Sequence, residues 1–410
     1  MTTTIRDITP SMLPLNKRYS LSNITKLLLS KYVHGLSPNR NWIIGAPKDT
    51  TSNVLQVSND DGATWSNVHT FDHSGTGTEQ IQGVMQWPDG EISVATGRGA
   101  TSGESRIYRS IGWGDTLAQK QAATWGADPY RPRGGSFAGV WGFHQQCVGP
   151  NGKAICSTYA GGKTNSNSND AAEILKARYV YLTLDQGKTW TLRYDIYMQP
   201  QAPLPGGVHI HGCLYYEPWD MFLFTFGDNT GAGQTVAGPN NLMVAFSYDD
   251  GATWSYLPQD QATMAGVAAQ FTTAFMTDKA LVLVPDDMAQ NIMLTLPITG
   301  YRQFGTAYLM TLPSRGYKTV GKAAFRAGPA FPILFGYNTS GEPITNTQGS
   351  TPPSMFASSD GLSSYPLYID TDATAEAVFA GGIVGPTLRN KIVAEYNGGL
   401  FVATLVAPTA

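Results

Sequence analysis

Cysteine is scarce in this sequence, which argues against a disulfide-rich protein and against a cysteine-based metal site. Only Cys147, Cys156 and Cys213 occur among 410 residues. Their spacing fits no metal-binding motif. Cys147 and Cys156 flank one predicted hairpin, but three cysteines do not make a disulfide framework. We therefore expect a fold that is held together without disulfides.

Charged residues and long apolar runs are also limited. Charged residues make up 14% of the chain and the formal net charge is −3, so there is no electrostatic case for binding nucleic acid or an anionic membrane. No apolar run approaches the length of a membrane span, and the N-terminal residues MTTTIRDITPS lack the basic and apolar parts of a signal peptide. We expect an extracellular or virion-associated protein that is released by another route, such as lysis.

Glycine and aromatic residues, in contrast, are abundant. The chain has 45 glycines and 11% aromatic residues, a composition typical of many short strands joined by tight turns. Three segments, at 58–65, 183–190 and 247–254, share the pattern Ser/Thr-x-Asp-x-Gly-x-Thr-Trp, and each follows a β-rich run. In each segment the aspartate is predicted to bond the backbone of a turn in which glycine takes a positive φ.

These segments resemble the Asp-box of sialidases and related bacterial-neuraminidase-repeat proteins, which are β-propellers. The resemblance implies an all-β fold of four-stranded antiparallel blades. It also implies that Asp60, Asp185 and Asp249 are structural corners and do not take part in catalysis.

Hairpin signals repeat along the rest of the chain. Turns are predicted at Asp89-Gly90, Asn151-Gly152, Trp219-Asp220 and Asp278-Lys279, between β-rich runs. Corresponding points of the third strands fall near residues 58, 110, 183, 247, 295 and 358. A repeat of roughly 45 to 75 residues with four strands is typical of propeller blades. We count six blades and leave five or seven open.

Residues 1–35 differ from this pattern. Ser20 or Ser22 is placed to cap a short helix whose apolar stripe runs from Ile24 to Tyr32. The helix either packs on the propeller or serves attachment or oligomerisation. We therefore divide the chain into an N-terminal appendage, 1–35, and a β-propeller, 36–410.

The blade topology predicts which end of each sheet carries function. In a four-stranded meander the Asp-boxes, at the turn between strands three and four, share one face with the hairpins between strands one and two. The longer connections, at 126–142, 161–177 and 227–241, lie on the opposite face. Long loops on a rigid scaffold usually carry function, so we expect the site there.

A histidine pair marks the centre of that face. His209 and His211 are two apart on one strand, so both side chains are predicted to face the same way. The order His-Ile-His-Gly, then Gly227-Asp228, resembles a motif of sialidase-like proteins of bacteria and phages. With His144 and Tyr159 these residues form the candidate catalytic set, in which histidine acts as acid or base with Asp228 as its partner.

Two other interpretations of this cluster stay open. The same polar residues would also fit a hydrogen-bonded filling of the central channel. His144, His209, His211 and Asp228 would also suit a metal ion, although no close spacing supports one and we expect neither metal nor cofactor. Polar and aromatic residues at a similar height are candidates for substrate binding: Glu79, Gln80, Gln82, Arg98, Arg131, Trp141, Asp286 and Asp287.

The sequence departs from true sialidases. Members of that family bind the substrate carboxylate with three arginines and use a Tyr/Glu nucleophile pair with an Asp acid. Here the nearest basic cluster is 130–133, with Arg326 and Arg389 far along the chain, so sialic acid specificity is not implied. Glycoside hydrolysis needs two carboxylates roughly 5 to 10 Å apart, which Asp228 with Asp286, Asp287 or Glu79 would supply.

These observations together favour a protein that recognises a bacterial surface polysaccharide. The favoured activity is cleavage by a sialidase-like glycoside hydrolase that is either carried on a phage tail or released by its host. The alternatives are a receptor-binding tail protein without catalysis and a polysaccharide lyase that uses histidine and tyrosine. Expected partners are a polysaccharide or cell-surface glycan and, through residues 1–35, other tail proteins; self-association is compatible with the sequence.

Overall fold

The protein is a β-propeller of four-stranded antiparallel sheets, as the sequence predicts. The coordinates come from a computed structural model. The structure describes residues 18–48, 52–72, 79–97, 105–126, 130, 132, 138–141, 147–160, 179–195, 209–227, 244–257, 271–285, 292–311, 333–337, 354–369, 382–396 and 399–408. Within them the strands run from β1 (Ser20–Leu27) to β28 (Gly399–Val406), with one α-helix, α1 (Leu117–Ala122).

Six sheets consist of strands that are consecutive in sequence. The first three contain β2 (Lys31–Leu36), β3 (Ile43–Pro47), β4 (Val54–Ser58) and β5 (Ser66–Thr70); β6 (Gln80–Gln86), β7 (Ile92–Gly97), β8 (Arg106–Ile111) and β9 (Thr124–Trp125); and β10 (Ala138–Trp141), β11 (Ala154–Ala160), β12 (Tyr179–Thr183) and β13 (Thr191–Asp195).

The next three sheets follow the same plan. They contain β14 (His209–Tyr216), β15 (Met221–Gly227), β16 (Val244–Ser247) and β17 (Ser255–Tyr256); β18 (Phe271–Met276), β19 (Ala280–Pro285), β20 (Ile292–Gly300) and β21 (Gln303–Phe304), with β22 (Tyr308–Thr311) also on β20; and β23 (Ile333–Tyr337), β24 (Ser354–Ser358) and β25 (Tyr365–Ile369). The six third-strand points predicted from sequence lie within β4, β8, β12, β16, β20 and β24.

A seventh sheet combines the two ends of the chain, and we call it the terminal sheet. Its order is β1-β28-β27-β26, with β26 (Ile383–Val384) and β27 (Lys391–Tyr396). β1 runs antiparallel to β28, from Ser20 beside Val406 to Leu27 beside Leu400. The described residues therefore form the six predicted repeats of consecutive strands, together with one sheet that joins the ends.

The helix predicted within residues 20–32 is wrong. Ser20–Leu27 and Lys31–Leu36 are strands, because β28 supplies hydrogen-bonding partners for the backbone of β1. Asn23 takes a left-handed conformation with φ of 49° at a register shift between Ser22 and Thr25. That shift disturbs the alternation of apolar residues that a strand usually shows, which is why the segment looks helical.

The predicted hairpins form, and their turns lie at the predicted residues. Gly90 and Gly152 have φ of 89° and 84°, and each donates its N–H to the carbonyl three residues back. Asp220 takes the left-handed conformation after a 3-10 turn at Glu217–Trp219. Thr277 N–H donates to the Ala280 carbonyl across the turn at Asp278-Lys279. These turns connect the first two strands of their sheets.

The chain divides into two compact units, each with its own apolar core. One unit comprises Met1–Ile43, Ser58–Thr64 and Asp260–Ala410, and the other comprises Ile44–Val57 and Trp65–Gln259. In the second unit, strands such as β12 are buried along their whole length, while the outer strand β13 alternates between exposed and covered positions. Such strands are therefore buried on both faces, because neighbouring sheets cover them.

Candidate functional site

The Asp-boxes are tight corners whose hydrogen bonds stay within the box. Asp185 accepts from Thr189 N–H at 2.9 Å, from Thr189 Oγ1 at 2.7 Å and from Thr183 Oγ1 at 2.8 Å, while Gly187 N–H donates to Thr183 Oγ1. Asp60 and Asp249 make the same set of contacts. Burial opposes ionisation of these carboxyls, but the bonds from threonine outweigh it and lower the pKa of each.

The boxes and the first hairpins of the sheets share one end, which we call the box edge. In the second unit, Asp89 N–H donates to the side chain of Gln186, the fourth residue of the next box, at 3.0 Å. Lys153 lies 2.6 Å from Asp250, the fourth residue of the box after that, and 2.8 Å from Asp220. The predicted sharing of one face is confirmed, and these contacts occupy that face with structural interactions.

The opposite end of the sheet β6–β9, which we call the loop edge, holds a buried charge cluster. Glu79 precedes β6, Thr96 lies near the end of β7, and Arg106 opens β8. Arg106 Nη1 lies 2.7 Å from Glu79 Oε1, and Thr96 Oγ1 donates to Oε2 at 3.0 Å. Tyr108 OH donates to the same Oε2 at 3.0 Å. All four side chains are buried.

The electrostatics of this Glu79 cluster determine the protonation state of Tyr108 and the orientation of the Glu79 carboxylate. Burial, reinforced by the charge of Glu79, raises the pKa of Tyr108 well above its usual value, so the phenol stays protonated and donates. Glu79 is held by one cation and two hydroxyls, which fixes the direction of its carboxylate. A buried, paired carboxylate at the loop edge is the kind of group that occurs at functional sites, although ion pairs with a purely structural role share this feature.

The first strands of three sheets, β6, β14 and β18, shift register near the loop edge, and two of them share a sequence pattern there. The segment Gln80-Ile81-Gln82-Gly83 in β6 and the segment His209-Ile210-His211-Gly212 in β14 each read polar-Ile-polar-Gly. The register of β6 shifts between Ile81 and Gly83, and that of β14 shifts between Ile210 and Cys213. Bulges of this kind often adjoin active sites because they redirect side chains. The glycine inside each strand pattern is the sequence signal for the bulge.

The bulge changes the argument made for the histidine pair. His209 is the first residue of β14 and lies beside Gly227, while His211 is 4% exposed within the bulge. Gly212 N–H donates to Thr225 Oγ1 at 2.8 Å, which anchors the irregular backbone. The regular alternation of side chains between the two faces of the strand is therefore interrupted between positions 209 and 211. The spacing of the two histidines alone does not place both side chains on one face.

The remaining predicted site residues fall into three groups. Gln80 is exposed and Gln82 half-buried on β6, at the loop edge beside Glu79. Tyr159 and Trp141 lie in β11 and β10, and their side chains, like that of His209, are outside the described part of the structure. The predicted residues that lie outside the described residues altogether are His144, Asp228, Arg98, Arg131, Asp286 and Asp287.

Sequence reasoning missed the partners of Glu79. Arg106 and Tyr108 are two residues apart in β8, so they share a face, and this spacing was visible in the segment RIYRS. Their relation to Glu79 was not visible, because the ion pair spans 27 residues and depends on which strands pair.

A fourth corner was also missed: Asp360 accepts from Leu362 N–H and Ser363 N–H, with Gly361 one position earlier than in the boxes.

Several aromatic and cationic residues lie away from the loop edge. Trp113 is buried beneath Lys120 of α1, whose Nζ lies 4.5 Å from the Trp113 ring centre. Trp125 lies on β9 at the box edge and contacts Trp113 edge to face. These two rings lie at the box edge because the segment 111–123 connects β8 and β9, in the position that an Asp-box has in other sheets. Arg389 likewise bonds Asn59 O within a box.

The three cysteines are buried, and none of them forms a disulfide. Cys147 Sγ donates to Cys213 O at 3.0 Å, and burial raises the pKa of Cys213 to about 12. Among the described residues, no group of three or more His, Cys, Asp or Glu could hold a metal ion. In that same part of the chain, no helix is long and apolar enough to cross a membrane.

Comparisons with known proteins support the fold. No protein-family model matches the chain, and no curated protein matches it in sequence. Among solved structures it is similar to the GH74 enzyme of Niastella koreensis, with a TM-score of 0.57 and 12% identity over 94% of this chain and 55% of that one. The uncharacterized protein lmo1340 of Listeria monocytogenes EGD-e matches with a TM-score of 0.44 and 9% identity, over 96% and 92% of the two chains. The chain therefore spans about half the length of the GH74 enzyme and is like it in fold.

Proposed function

We propose that the protein binds a bacterial surface polysaccharide at the loop edge and cleaves it as a glycoside hydrolase. The observation that carries the proposal is the Glu79 cluster, a buried carboxylate with Arg106 and Tyr108 at the end of the sheet opposite the boxes. Gln80 and Gln82, beside it on β6, offer amide groups suited to sugar hydroxyls. The similarity in fold to a glycoside hydrolase, the GH74 enzyme, is consistent with this choice.

The proposed hydrolysis of a glycosidic bond requires two carboxyl groups with different roles. One protonates the glycosidic oxygen, and the other acts as base or nucleophile on the far side of the sugar ring. Glu79 is the described candidate for one of these roles, and Asp228 is the candidate for the other. His211 and its neighbour His209 would assist proton transfer.

Matched variants of one sheet test the proposal. The protein is incubated with a panel of capsular and cell-wall glycans, and new reducing ends are measured together with the absorbance of unsaturated uronates. Glu79→Gln at the loop edge should lower the rate of cleavage at least about 100-fold, as loss of an acid or base does. Glu91→Gln, the same change at the box edge of the same sheet, should leave the rate per folded molecule unchanged.

The outcomes separate the candidate activities. Reducing ends without uronate absorbance support hydrolysis, whereas uronate absorbance would assign the protein to the lyases. Equal rates in Glu79→Gln and in the wild type would remove Glu79 from the site. Asp228→Asn and His211→Ala, tested in the same assay with melting temperature as a control for folding, then decide whether the histidine motif carries the activity.

A binding protein without catalysis is the second candidate, and one observation favours it. Both oxygens of Glu79 already accept hydrogen bonds from Arg106, Thr96 and Tyr108, an arrangement that suits a fixed scaffold for a binding surface. Glycan binding without any product across the panel would select this function. In either case the substrate lies outside the cell, so we propose an extracellular or virion setting, which immunolabelling of intact particles and cells would test.

A further inference from the structure

The terminal sheet differs from the other sheets in how it is held together. In the six sheets of consecutive strands, the chain itself leads from each strand to the next. In the terminal sheet, β1 and β28 are joined by hydrogen bonds and side-chain packing but not by a chain connection, since they come from opposite ends of the described chain. β1 leads through residues 28–30 into β2, so β26–β28 are attached to β1 and β2 by noncovalent contacts alone.

β1 uses only part of its apolar surface for this attachment: Leu21 packs against buried residues of β27 and β28, but most positions of the strand are exposed. Ile24 is 42% exposed and Leu28, at the end of the strand, is fully exposed. The register shift between Ser22 and Thr25 also interrupts the pairing with β28. Polar contacts add to the apolar burial of β26–β28 where this sheet meets β2 and the first box.

One such contact lies at the loop edge. Glu395 of β27 is 3% exposed, and its Oε1 accepts from Val33 N–H of β2 at 2.8 Å and from Gly382 N–H at 3.0 Å. A Cβ added to Gly382 would lie 1.6 Å from Val33 O, so only glycine allows the two backbones to come this close. One carboxylate oxygen therefore satisfies two backbone donors that belong to different sheets.

A second contact lies at the box edge of the same joint. Asp61, the fourth residue of the first box, accepts from Thr387 Oγ1 at 2.8 Å and lies 3.4 Å from Arg389 Nε. Arg389 Nη1 also donates to Asn59 O at 2.9 Å. Arg389 is about half exposed, so this ion pair is screened by solvent and is the weaker of the two contacts.

We propose that Glu395 and the Arg389–Asp61 pair form a two-point clasp, and that this joint is where the protein opens first. Opening would release β26–β28 from β2 and the first box while the sheets built from consecutive strands stay formed. Proteins open in cooperative local units, and here only noncovalent contacts have to break, because no chain connection joins β28 to β1 or β27 to β2.

Hydrogen–deuterium exchange tests the clasp, with fragments that report on 31–36 and 382–396. Glu395→Ala should accelerate exchange of the Val33 and Gly382 amides at least about tenfold, since both lose their acceptor. Glu395→Gln keeps an acceptor oxygen of the same reach and should stay close to the wild type. Amides of β14 and β15 serve as the internal reference and should not change.

The result that would overturn the proposal is equally specific. Unchanged exchange at Val33 and Gly382 in Glu395→Ala, or equal acceleration in β14 and β15, would show that Glu395 adds only to global stability. Should Glu395→Ala fail to fold, Arg389→Met provides the second test, because it leaves the buried contact intact and should still accelerate exchange in 382–396. Lys153→Met is the control, because it removes an ionic contact between two sheets that follow each other along the chain. This variant should not accelerate exchange of the amides in 382–396. Acceleration there would show that the joint does not open separately from the rest of the protein.

Discussion

Removing the carboxylate of Glu79 should be one of the most destabilising single changes in the second unit. In Glu79→Ala the Arg106 guanidinium stays buried without its partner at 2.7 Å, and Thr96 and Tyr108 lose their acceptor at 3.0 Å. Breaking a buried ion pair from one side costs about 3–5 kcal/mol in the free energy of unfolding. Glu79→Gln keeps an acceptor for the hydroxyls and should cost about 1–3 kcal/mol.

Urea unfolding followed by tryptophan fluorescence measures these costs, and a double-mutant cycle isolates the pair. Arg106→Met alone should also destabilise, because it leaves Glu79 buried without its cation. The double variant Glu79→Met, Arg106→Met should be less destabilised than the sum of the single variants, since no charge remains buried. A loss below about 1 kcal/mol in Glu79→Ala would refute the reasoning, because the pair would then be accessible to water in solution.

Four further predictions follow from the corners and from buried titratable groups. Asp185→Ala should lower the free energy of unfolding by about 1–3 kcal/mol in a urea melt while activity per folded molecule is retained, since the box lies away from the loop edge. The pKa values of Asp60, Asp185 and Asp249 are lowered by folding, so their contribution to stability is present above the usual pKa of 3.8 and lost as pH falls through the folded values. Melting temperatures measured from about pH 5 to pH 2 should fall accordingly, and less steeply in an Asp185→Asn variant. Burial lowers the pKa of Lys120 to about 8, against an ordinary value of 10.5, so stability should rise with pH between those values, and a Lys120→Met variant should lose that rise. Burial raises the pKa of Cys213 to about 12, so this thiol should resist a thiol reagent at about pH 8 in the native protein and react once urea unfolds it.

Much of the fold was predictable because its signals are short. The contacts of Asp60, Asp185 and Asp249 within each box are complete within eight residues, so the pattern of residue types already specifies the corner. The turns at Gly90 and Gly152 are equally local, since a positive φ is required at one position. The repeat of these local signals then predicted the succession of sheets.

The candidate site was less predictable, because its contacts join residues far apart in sequence. Glu79 was named as a substrate-binding residue and a possible second carboxylate, but its ion pair with Arg106 depends on how β6, β7 and β8 lie side by side. The direction of His211 depends on a bulge that forms against β15, and the motif alone does not determine it. The fourth corner, at Asp360, was not predicted because Gly361 directly follows the aspartate, whereas in the boxes one residue separates the two. Its turn is nevertheless held by similar hydrogen bonds.

By itself the sequence determined the corners, the hairpin turns and the number of repeats of consecutive strands, since each rests on hydrogen bonds that close within a few residues. The tertiary structure decided the rest. Ser20–Leu27 has apolar residues at helical spacing, yet it is a strand because β28, at the other end of the chain, supplies its backbone partners. Glu79 and Glu395 became buried acceptors because distant strands brought Arg106 and Val33 to them. Local patterns specify bonds between near neighbours, whereas a bond between distant residues exists only once the sheets that carry them are packed together.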